Sequence, residues 1–527
     1  MNLKIKNLIL PISYFSLFSI SFFVNHWVGS RGLFPIDTFV HFDSAVRILN
    51  NELPIRDFWI VHGLVVDFIQ AFFFKIFGVS WQSYLFHGSL TNSIIAIFSF
   101  KMLKDFKIEL KYAFILTLSI AVLAYPVSAT PFLDLHSTYF SLFSMYFLMM
   151  FVRKNDYIKL FISIILLGFS FFCKQVPATY IIIFSSLFIL YHSYSLNSLK
   201  PIIVSASATI SFIIFVLIYL FITKTELKEL ILQLFIFPSS IGLERYTNYS
   251  FNINNVFFDF KFIYFAFFFT ILAFLSNYFY KNKKNIKEKL NIFLILIFFT
   301  ISLVFHQIHT KNQIFIFFLI PLLSGFFIYF LSELKIKYKK NLINLVILFC
   351  LFVTIKYHER FNEERKFHEL SSTNINKAIS VDFEKTFFKG LKWMTPSFKD
   401  PEAELKIIEE FYLRLKERDD NNMIISRYTF LGGLLKKSTF TPSRTFDDIS
   451  YPFLDNENFE AYKNFFKKNI IEKKITNIFI FNSGFKPTEN SLNNVIFNYL
   501  PKECYISKNL NQYTIQIILQ NCNYLKR

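Results

Sequence analysis

Acidic and basic side chains are concentrated in residues 34–59, FPIDTFVHFDSAVRILNNELPIRDFW, directly after the first long apolar run of the chain. The charged residues of this segment include Asp37, Asp43, Glu52, Arg56 and Asp57. A carboxylate can remove a proton from a reacting group, and a guanidinium can bind an anion such as a phosphate. The alternative is that these charges cap a helix or lie in a solvated loop. The pattern predicts a short solvated helix and a turn, placed directly outside an apolar segment.

The composition is typical of a protein embedded in a membrane. Of the 527 residues, 54% are hydrophobic and 20% are aromatic, and the mean hydropathy is +0.41. A soluble protein of this length cannot bury that much apolar surface. Runs that are mostly free of charge, several of them near the roughly 20 residues that span about 30 Å of hydrocarbon, occur at 112–126, 139–152, 158–173, 201–223, 258–280, 290–305, 314–332 and 341–356. We therefore expect a polytopic α-helical membrane protein.

The formal net charge of +19 follows the positive-inside rule and does not require a nucleic-acid partner. Basic residues cluster at alternate loops, most clearly in KNKKNIKEK (281–289) and KIKYKK (335–340), whereas the intervening loops carry few. This alternation predicts a cytoplasmic N-terminus, about eleven membrane helices and an external location for everything after about residue 358. The first helix, about 8–28, reads as a retained signal-anchor, because no small-residue cleavage site follows it. We expect the bacterial inner or plasma membrane.

A domain boundary is predicted near residue 357, where the apolar runs end and charge density rises. Residues 1–357 are predicted to form the transmembrane domain, and residues 358–527 a small external α/β domain. The elements expected in this second domain are a helix at 401–420 and strands at 422–428, 475–482 and 513–520.

The four cysteines divide between the two predicted domains. Cys173 and Cys350 fall in apolar segments, whereas Cys504 and Cys522 lie in the predicted external domain. The latter two could pair in an oxidising compartment. The sequence leaves open whether they do.

Two large external loops are expected, at about 29–83 and 224–257. Residues 60–78 of the first loop are apolar but interrupted by charge, which favours a surface-lying or re-entrant helix over a clean span. The second loop begins like an amphipathic interfacial helix; the side chains predicted near one face are Leu227, Leu230, Ile231 and Leu234. The alternative for this second loop is a plain connector.

The first loop contains DTFVHFDSAVRILNNELPIRDFWIVHGLVVDFIQAFFFKIFG (37–78), which resembles the first external loop of the GT-C glycosyltransferases. These membrane enzymes use sugars linked to polyprenyl phosphates, and they include protein O-mannosyltransferases and lipid A aminoarabinose transferases. Asp37 occupies the position of the aspartate in the family's Asp-Glu pair, His62 and Gly63 match a His-Pro or His-Gly step, and residues 75–78 match the end of the following helix. Thr38 replaces the usual glutamate, Asn51 and Glu52 replace a glycine pair, and Leu64 stands where proline is common.

The resemblance implies a GT-C-like fold and an inverting transfer of sugar from a polyprenyl-phosphate-linked donor to an acceptor on the external face. The phosphate is already a good leaving group, so one carboxylate base that deprotonates the acceptor suffices. By resemblance that base is Asp37. Asp43 remains an alternative base, and Asp134 is a further candidate.

Basic groups at the outer face of the membrane are expected to hold the donor phosphate. Lys174 is the main candidate, because it ends an apolar run where a charge is costly unless it is used. Gln175 beside it, Arg56 in the first loop and Arg245 in the second are further candidates. Alternatively, Lys174 snorkels to the interface.

Histidines near the predicted outer face are also site candidates. Asp134 and His136, in the motif DLH, lie in a loop otherwise without charge. With His306 and His309 they would supply ligands for a divalent metal, but no tight ligand spacing is present. The alternative for each histidine, including His62, is a satisfied interfacial side chain.

Other classes of function fit less well. A transporter or flippase of lipid-linked sugars would use Lys174 and His306 as pathway residues, but it would leave the charged first loop unexplained. A polysaccharide polymerase or ligase would share the lipid donor, but such proteins usually carry their large working loop late in the chain. No Walker loop, Gly-x-Gly-x-x-Gly or Gly-x-Ser-x-Gly motif is present, which disfavours nucleotide-sugar use. The expected partners are membrane lipid, a polyprenyl-phosphate sugar and a glycan, lipid or protein acceptor.

Overall fold

The computed structural model describes residues 3–247, 252–279, 286–310, 315–332, 334–446, 450–481 and 498–526, with the side chains of 3–7 and 243–247 left undescribed. Helices dominate up to residue 358. They are α1 Leu3–Gly29, α2 Pro35–Thr38, α3 Val40–Leu49, α4 Val65–Phe77, α5 Trp81–Asp105, α6 Leu110–Leu123, α7 Leu133–Lys154, α8 Tyr157–Cys173, α9 Gln175–Leu196, α10 Lys200–Thr223, α11 Leu227–Ile231, α12 Phe237–Thr247, α13 Ile253–Val256, α14 Lys261–Phe279, α15 Ile286–His309, α16 Leu319–Ser332 and α17 Lys339–His358.

In the described residues after 358, short strands alternate with three α-helices. The helices are α18 Pro401–Lys416, α19 Leu431–Leu435 and α20 Phe459–Glu472. The strands of the described residues are β1 Ile379–Ser380, β2 Lys392–Trp393, β3 Asn422–Ser426, β4 Asn477–Phe481, β5 Tyr505–Asn511 and β6 Thr514–Leu519.

Eight helical segments of the described residues are long and apolar enough to cross a bilayer. The described residues also contain two shorter apolar helices, α8 and α16, and the 25-residue α5. The sequence predicts about eleven membrane helices. By contrast, the 13-residue α4 is only about 20 Å long at 1.5 Å per residue. It is too short to span the hydrocarbon, as expected for a surface-lying or re-entrant helix.

Hydroxyl groups join α7 to α8 along their length. Ser144 Oγ lies 2.8 Å from Ser163 Oγ, and Ser141 Oγ lies 2.8 Å from Ser170 Oγ. The loop between the two helices is short, because Asn155 ends α7 in the left-handed region and Asp156 accepts a hydrogen bond from the amide of Ile158 at the start of α8. Apolar contact alone gives little driving force between helices in lipid, so such small polar contacts help to specify the pairing.

The chain divides into two compact units that are both discontinuous in sequence. The first consists of residues 1–29, 85–218 and 245–367, and the second of residues 30–84, 219–244 and 368–527. Residues 30–84, which the sequence predicts as most of the first external loop and assigns to the domain 1–357, therefore group with the C-terminal residues. A large apolar core of helical side chains fills the first unit.

The second unit contains a four-stranded sheet in the order β3-β4-β6-β5. Strands β3 and β4 are parallel and are connected through α20, whereas the other two pairings are antiparallel. This confirms the small α/β domain expected from the sequence. The helix predicted at 401–420 is α18, whose N-cap residue Asp400 accepts hydrogen bonds from the amides of Glu402 and Ala403. Strand β5 was not predicted from the sequence.

A disulfide joins Cys504 to Cys522, which answers the question that the sequence leaves open. It closes the antiparallel pair formed by β5 and β6, because Cys504 precedes β5 and Cys522 follows β6. Cys173 and Cys350 are both buried.

The segment after α10 has two apolar faces. Leu230 and Leu234 are buried in the second unit, whereas Leu227 and Ile231 are exposed. The expectation that all four side chains share one face is therefore wrong. The helix α11 continues into a π-helical turn, Leu232–Ile236, before α12 begins, and the wider spacing of this turn changes which side chains point inwards.

Candidate functional site

Asp37 lies in α2, a single helical turn that begins at Pro35. Thr38 anchors this turn, because its carbonyl oxygen accepts a 2.7 Å hydrogen bond from the Tyr84 hydroxyl and its Oγ1 lies 3.4 Å from His368 Nδ1. The side chain of Thr38 is buried, whereas Asp37 is half-buried. The backbone beside Asp37 is thus held in place, and Asp37 itself is not fully enclosed.

Asp43 lies in the first turn of α3 in a different environment. Its side chain is 1% exposed, and neither carboxylate oxygen has a hydrogen-bond partner in the part of the chain that the structure describes. Burial raises the pKa of Asp43 to about 7; Arg47 opposes the shift, and Glu52 and Asp67 add to it. Gly432 of α19 approaches so closely that a Cβ there would lie 3.3 Å from Asp43 Oδ1. Asp43 is therefore enclosed and largely neutral below pH 7.

Asp67 in α4 forms a buried ionic cluster that sequence reasoning missed. His41 Nδ1 lies 2.7 Å from Asp67 Oδ1, and Arg444 donates from Nη2 to Asp67 Oδ2 and, at 3.0 Å, to the carbonyl of Gly63. The three side chains are almost fully buried. The available signal was the position of Asp67 inside an apolar run, where a charge requires a partner.

Arg56, a predicted phosphate ligand, is bound to neighbouring groups. It donates to Asp57 Oδ2 from Nε at 2.9 Å and from Nη2 at 2.6 Å, and to the Thr223 carbonyl from Nη1 at 2.9 Å. Lys473 Nζ lies 3.1 Å from the other oxygen of Asp57. Burial raises the pKa of Asp57, but the net shift is downward because Arg56, the Leu53 amide and Lys473 all stabilise the carboxylate.

The first unit contains a second cluster, around Asp134 and Lys174. Asp134 lies in the first turn of α7, and Lys174 Nζ donates to both of its carboxylate oxygens at 2.7 Å. Lys174 has an extended backbone between α8 and α9, and Val176 is extended too because it precedes Pro177. His306 Nε2, from α15, lies 3.8 Å from Asp134 Oδ1. The helix break thus places a paired lysine among three helices.

His136 faces a different set of groups from Asp134. Its Nδ1 lies 3.1 Å from the Tyr125 hydroxyl, and its Nε2 lies 3.0 Å from Nε2 of His87. Gln175, His62 and His309 are half-buried, and Gln175 begins α9 beside Lys174. The side chain of Arg245 lies outside the described residues.

The residues considered for a metal do not form a ligand set. Among the residues that the structure describes, no group of three or more histidine, cysteine, aspartate or glutamate side chains is arranged to hold a metal ion. Asp134 is bound by the ammonium group of Lys174, and the ring nitrogens of His136 lie against Tyr125 and His87. A cation at hydrogen-bond distance from the carboxylate competes with a metal for the same oxygens.

The structure brings predicted site residues together within each unit. Asp134, Lys174 and His306 converge in the first unit, and Gln175 is adjacent to them in the chain. Asp37, Asp43, Arg56 and His62 belong to the second unit. The partners that the sequence did not identify are His41, Asp67, His87, Tyr125, Arg444 and Lys473.

Comparisons with known proteins give a family match over part of the chain and matches to solved structures. Residues 61–219 match the family described as dolichyl-phosphate-mannose-protein mannosyltransferase; the region contains Asp134 and Lys174 and begins after Asp37. The crystal structure of ArnT from Cupriavidus metallidurans bound to undecaprenyl phosphate is similar, with a TM-score of 0.50 and 10% sequence identity over 96% of this chain and 97% of that chain. No curated protein sequence matches the chain.

These comparisons support two of the expectations from sequence. The resemblance to GT-C enzymes is confirmed by the family match together with the structural likeness. The fold class is confirmed as well, since the chain shares the architecture of ArnT and carries a small C-terminal sheet.

The environment of Asp43 predicts a pH-dependent loss of stability. Its pKa is about 7 in the folded chain, against roughly 3.9 for an aspartate in an unfolded chain. Well below pH 4 the carboxyl is protonated in both states, so its burial then costs little stability. As the pH rises to 7 only the unfolded state ionises, and stability falls by roughly 4 kcal/mol, at about 1.4 kcal/mol per pKa unit. We expect Asp43→Asn to raise the midpoint of thermal unfolding at pH 8 and to have little effect at pH 4.

The control for this measurement is Asp382→Asn, the same chemical change at a carboxylate that is 88% exposed. It should leave the midpoint unchanged at both pH values. A midpoint for Asp43→Asn that equals the wild-type value at pH 8 would show that Asp43 is ionised without penalty in the folded chain.

The buried cluster around Asp67 predicts a large cost when its charge is removed. Asp67→Asn leaves the guanidinium of Arg444 buried without a counter-charge, which costs about 3–5 kcal/mol. Thermal and denaturant unfolding in detergent should both record this loss. The matched control is Glu288→Gln, which breaks a partly exposed pair with Arg153 and should cost less than about 1 kcal/mol. Equal losses in the two variants would contradict a structural role for the cluster.

Proposed function

We propose that the chain, which has the GT-C-like fold, is an inverting glycosyltransferase that takes a sugar from a polyprenyl-phosphate-linked donor. The observation that carries this proposal is the chemistry shared by the two comparisons. The matched family is named for dolichyl phosphate, and the similar structure holds undecaprenyl phosphate. Both are long isoprenoid phosphates, and the described part of this chain contains eight apolar segments that fit a membrane-bound donor of that kind.

Asp37 is proposed as the general base. Its carboxylate is half-buried on an anchored turn, so it can meet an acceptor while remaining positioned. Asp43 is enclosed and without a hydrogen-bond partner among the described residues, which argues against direct contact with an acceptor. The structure therefore favours Asp37 over Asp43, in agreement with the resemblance.

The proposed reaction is a single displacement. The acceptor oxygen or nitrogen forms a bond to the anomeric carbon as the bond from that carbon to the phosphate oxygen breaks. The acceptor proton passes to Asp37, and the bonding electrons leave with the polyprenyl phosphate. No protonating acid is required, because the leaving phosphate is already anionic. Attack opposite the leaving group inverts the anomeric configuration.

Lys174 is proposed to bind the donor phosphate, with Asp134 orienting it. A lysine ammonium has three N–H groups, and the two that bond Asp134 fix its direction. The third remains for a phosphate oxygen. Gln175 and Arg56 are proposed as supporting donors, and Arg245 and the four histidines at 62, 136, 306 and 309 as further site residues.

The acceptor side and the orientation complete the proposal. We place the N-terminus in the cytoplasm, the C-terminal domain of residues 358–527 outside the bacterial inner or plasma membrane, and the reaction on that external face, following the alternation of basic loops. The transferred group is a hexose or pentose, and the acceptor is a glycan, a lipid or a protein.

The test is transfer from a panel of radiolabelled polyprenyl-phosphate sugars to cell-envelope extract by the purified chain. Asp37→Asn, an isosteric change that removes the base, should retain donor binding and lose at least 100-fold in rate, because general-base catalysis contributes about 10²–10⁴-fold. Asp43→Asn should retain transfer. The exposed Asp382→Asn serves as the matched chemical control.

Any other outcome of this test would identify a different general base or a different function. Loss of transfer in Asp43→Asn with full activity in Asp37→Asn would make Asp43 the base. Equal transfer in both variants would point to Asp134. If no variant transfers sugar but all of them move labelled lipid across a vesicle membrane, the chain is a transporter and the proposal is wrong.

A further inference from the structure

The ten residues from 227 to 236 present a row of apolar side chains to the outside of the second unit. Leu227, Ile231 and Phe235 are spaced four apart and are 52%, 41% and 46% exposed, and Ile236 is 44% exposed. On the opposite face Gln233 fixes the segment: it accepts a hydrogen bond from the Ile60 amide and donates one to the Ile55 carbonyl, both at 3.0 Å. The exposed row is therefore a firmly held surface.

The position of this row in the chain indicates what covers it. The candidate membrane span Lys200–Thr223 ends four residues before Leu227. A short helix that starts where a span ends lies at the membrane surface, and an apolar face there is buried in the boundary between headgroups and acyl chains. In water such a patch would be unfavourable. The same lipid that surrounds the span accounts for the exposed row.

A cavity of about 300 Å³ opens beside this segment. Its charged and polar lining includes Arg56, Lys224, Glu226, Glu229, Asn464 and Lys468. All of these residues belong to the second unit. The cavity is thus built from the turn after the span, the first external loop and α20.

The charges of the cavity leave a net excess of one positive charge. Arg56 is neutralised by Asp57, and Glu226 by Lys228 at 2.9 Å. Within the described residues the ammonium groups of Lys224 and Lys468 have no hydrogen bond or ion pair, and Glu229 has no ion pair. Two ammonium groups and one carboxylate match a single phosphodiester, since lysines bind phosphate as point charges and attract anionic lipid at a membrane surface.

We propose that this cavity binds the phosphodiester headgroup of a monoanionic bilayer phospholipid, with Lys224 and Lys468 on the phosphate and the row from Leu227 to Ile236 embedded beside its acyl chains. The site ties the second unit to the leaflet in which α10 ends. The proposal requires only that the chain is an integral membrane protein. Arg56 lines the cavity and is also a proposed supporting donor for the sugar-donor phosphate, so it is left unchanged in the variants below.

The first test is lipid binding by native mass spectrometry of the purified full chain. Phosphatidylglycerol is titrated against the wild type, Lys224→Ala, Lys468→Ala and the double variant. We expect at least tenfold weaker binding of the most tightly bound lipid in the double variant. The matched control, Lys508→Ala, removes an exposed lysine of β5 and should bind as the wild type does. All the replaced lysines are exposed, and the melting temperatures of the variants should equal that of the wild type.

Three further ligands test which molecule binds in the cavity. Phosphatidylethanolamine, phosphatidylcholine and inorganic phosphate should each bind more weakly than phosphatidylglycerol. Equal binding of phosphatidylethanolamine would overturn the monoanionic assignment, and competition by inorganic phosphate at equal affinity would make this a site for free phosphate. Unchanged phosphatidylglycerol binding in the double variant would remove the site altogether.

The second test measures depth in a membrane. Nitroxide labels at Leu227→Cys and Ile231→Cys, in nanodiscs of phosphatidylglycerol and phosphatidylcholine, should be more accessible to oxygen than to a polar nickel complex. The control is Leu413→Cys on α18, a leucine that is 49% exposed and should show the reverse preference. The unlabelled wild type provides the blank. If all three labels show the nickel accessibility of the control, the embedded row is wrong.

Discussion

A charged side chain that is buried away from water needs an opposite charge beside it, and the packing of both units of the chain depends on this requirement. An unpaired buried ion costs several kcal/mol, whereas a pair with good hydrogen bonds recovers much of that cost. Lys174, just before α9, and Asp134, in the first turn of α7, form one such pair. Asp67, His41 and Arg444 form another group of paired charges, in which Asp67 and Arg444 are 377 positions apart in the chain. The geometry of both candidate regions depends on these pairs.

Two aspartates six residues apart lie in different environments. Asp37 lies on a one-turn helix whose backbone is anchored through Thr38, and its residue is half-buried. Asp43 lies against Gly432 with no hydrogen-bond partner in the described part of the chain. Burial raises the pKa of Asp43 to about 7, so its carboxyl is largely neutral below that pH. The difference comes from packing, since the two side chains are chemically identical.

The surroundings of the apolar side chains, which are either protein or lipid, also differ along the chain. The span α10 has only 11% of its apolar window buried by protein, against 78% for α7. A helix that is apolar on all sides and covered by little protein requires lipid around it. In the proposal above, the exposed side chains of Leu227, Ile231 and Phe235 contact the same lipid. The bilayer would then stabilise these residues in the way that a protein core stabilises others.

The sequence by itself determined the features that depend on local composition and on the spacing of apolar residues along the chain. Long uncharged runs require a membrane, and strands and a helix with regular patterns mark the C-terminal α/β part, so the fold class followed from the sequence together with the resemblance in residues 37–78. Lys174 was singled out because a charge at the end of an apolar run is costly. Asp37 was singled out by the resemblance, and Asp134 as a carboxylate in a loop otherwise without charge. Strand β5 was missed because it is an edge strand with mostly exposed side chains, which leaves little alternation to detect.

Only the tertiary structure decided which residues are partners and which are enclosed. It grouped residues 30–84 with 368–527, buried Asp43, paired Lys174 with Asp134, and split the apolar residues of 227–236 into an inner and an outer face. Each of these depends on contacts between positions far apart in the chain. Residue type and spacing indicate how much free energy the burial of a side chain would contribute. The packing of segments that are distant in the chain decides where that side chain is buried and which partner it contacts.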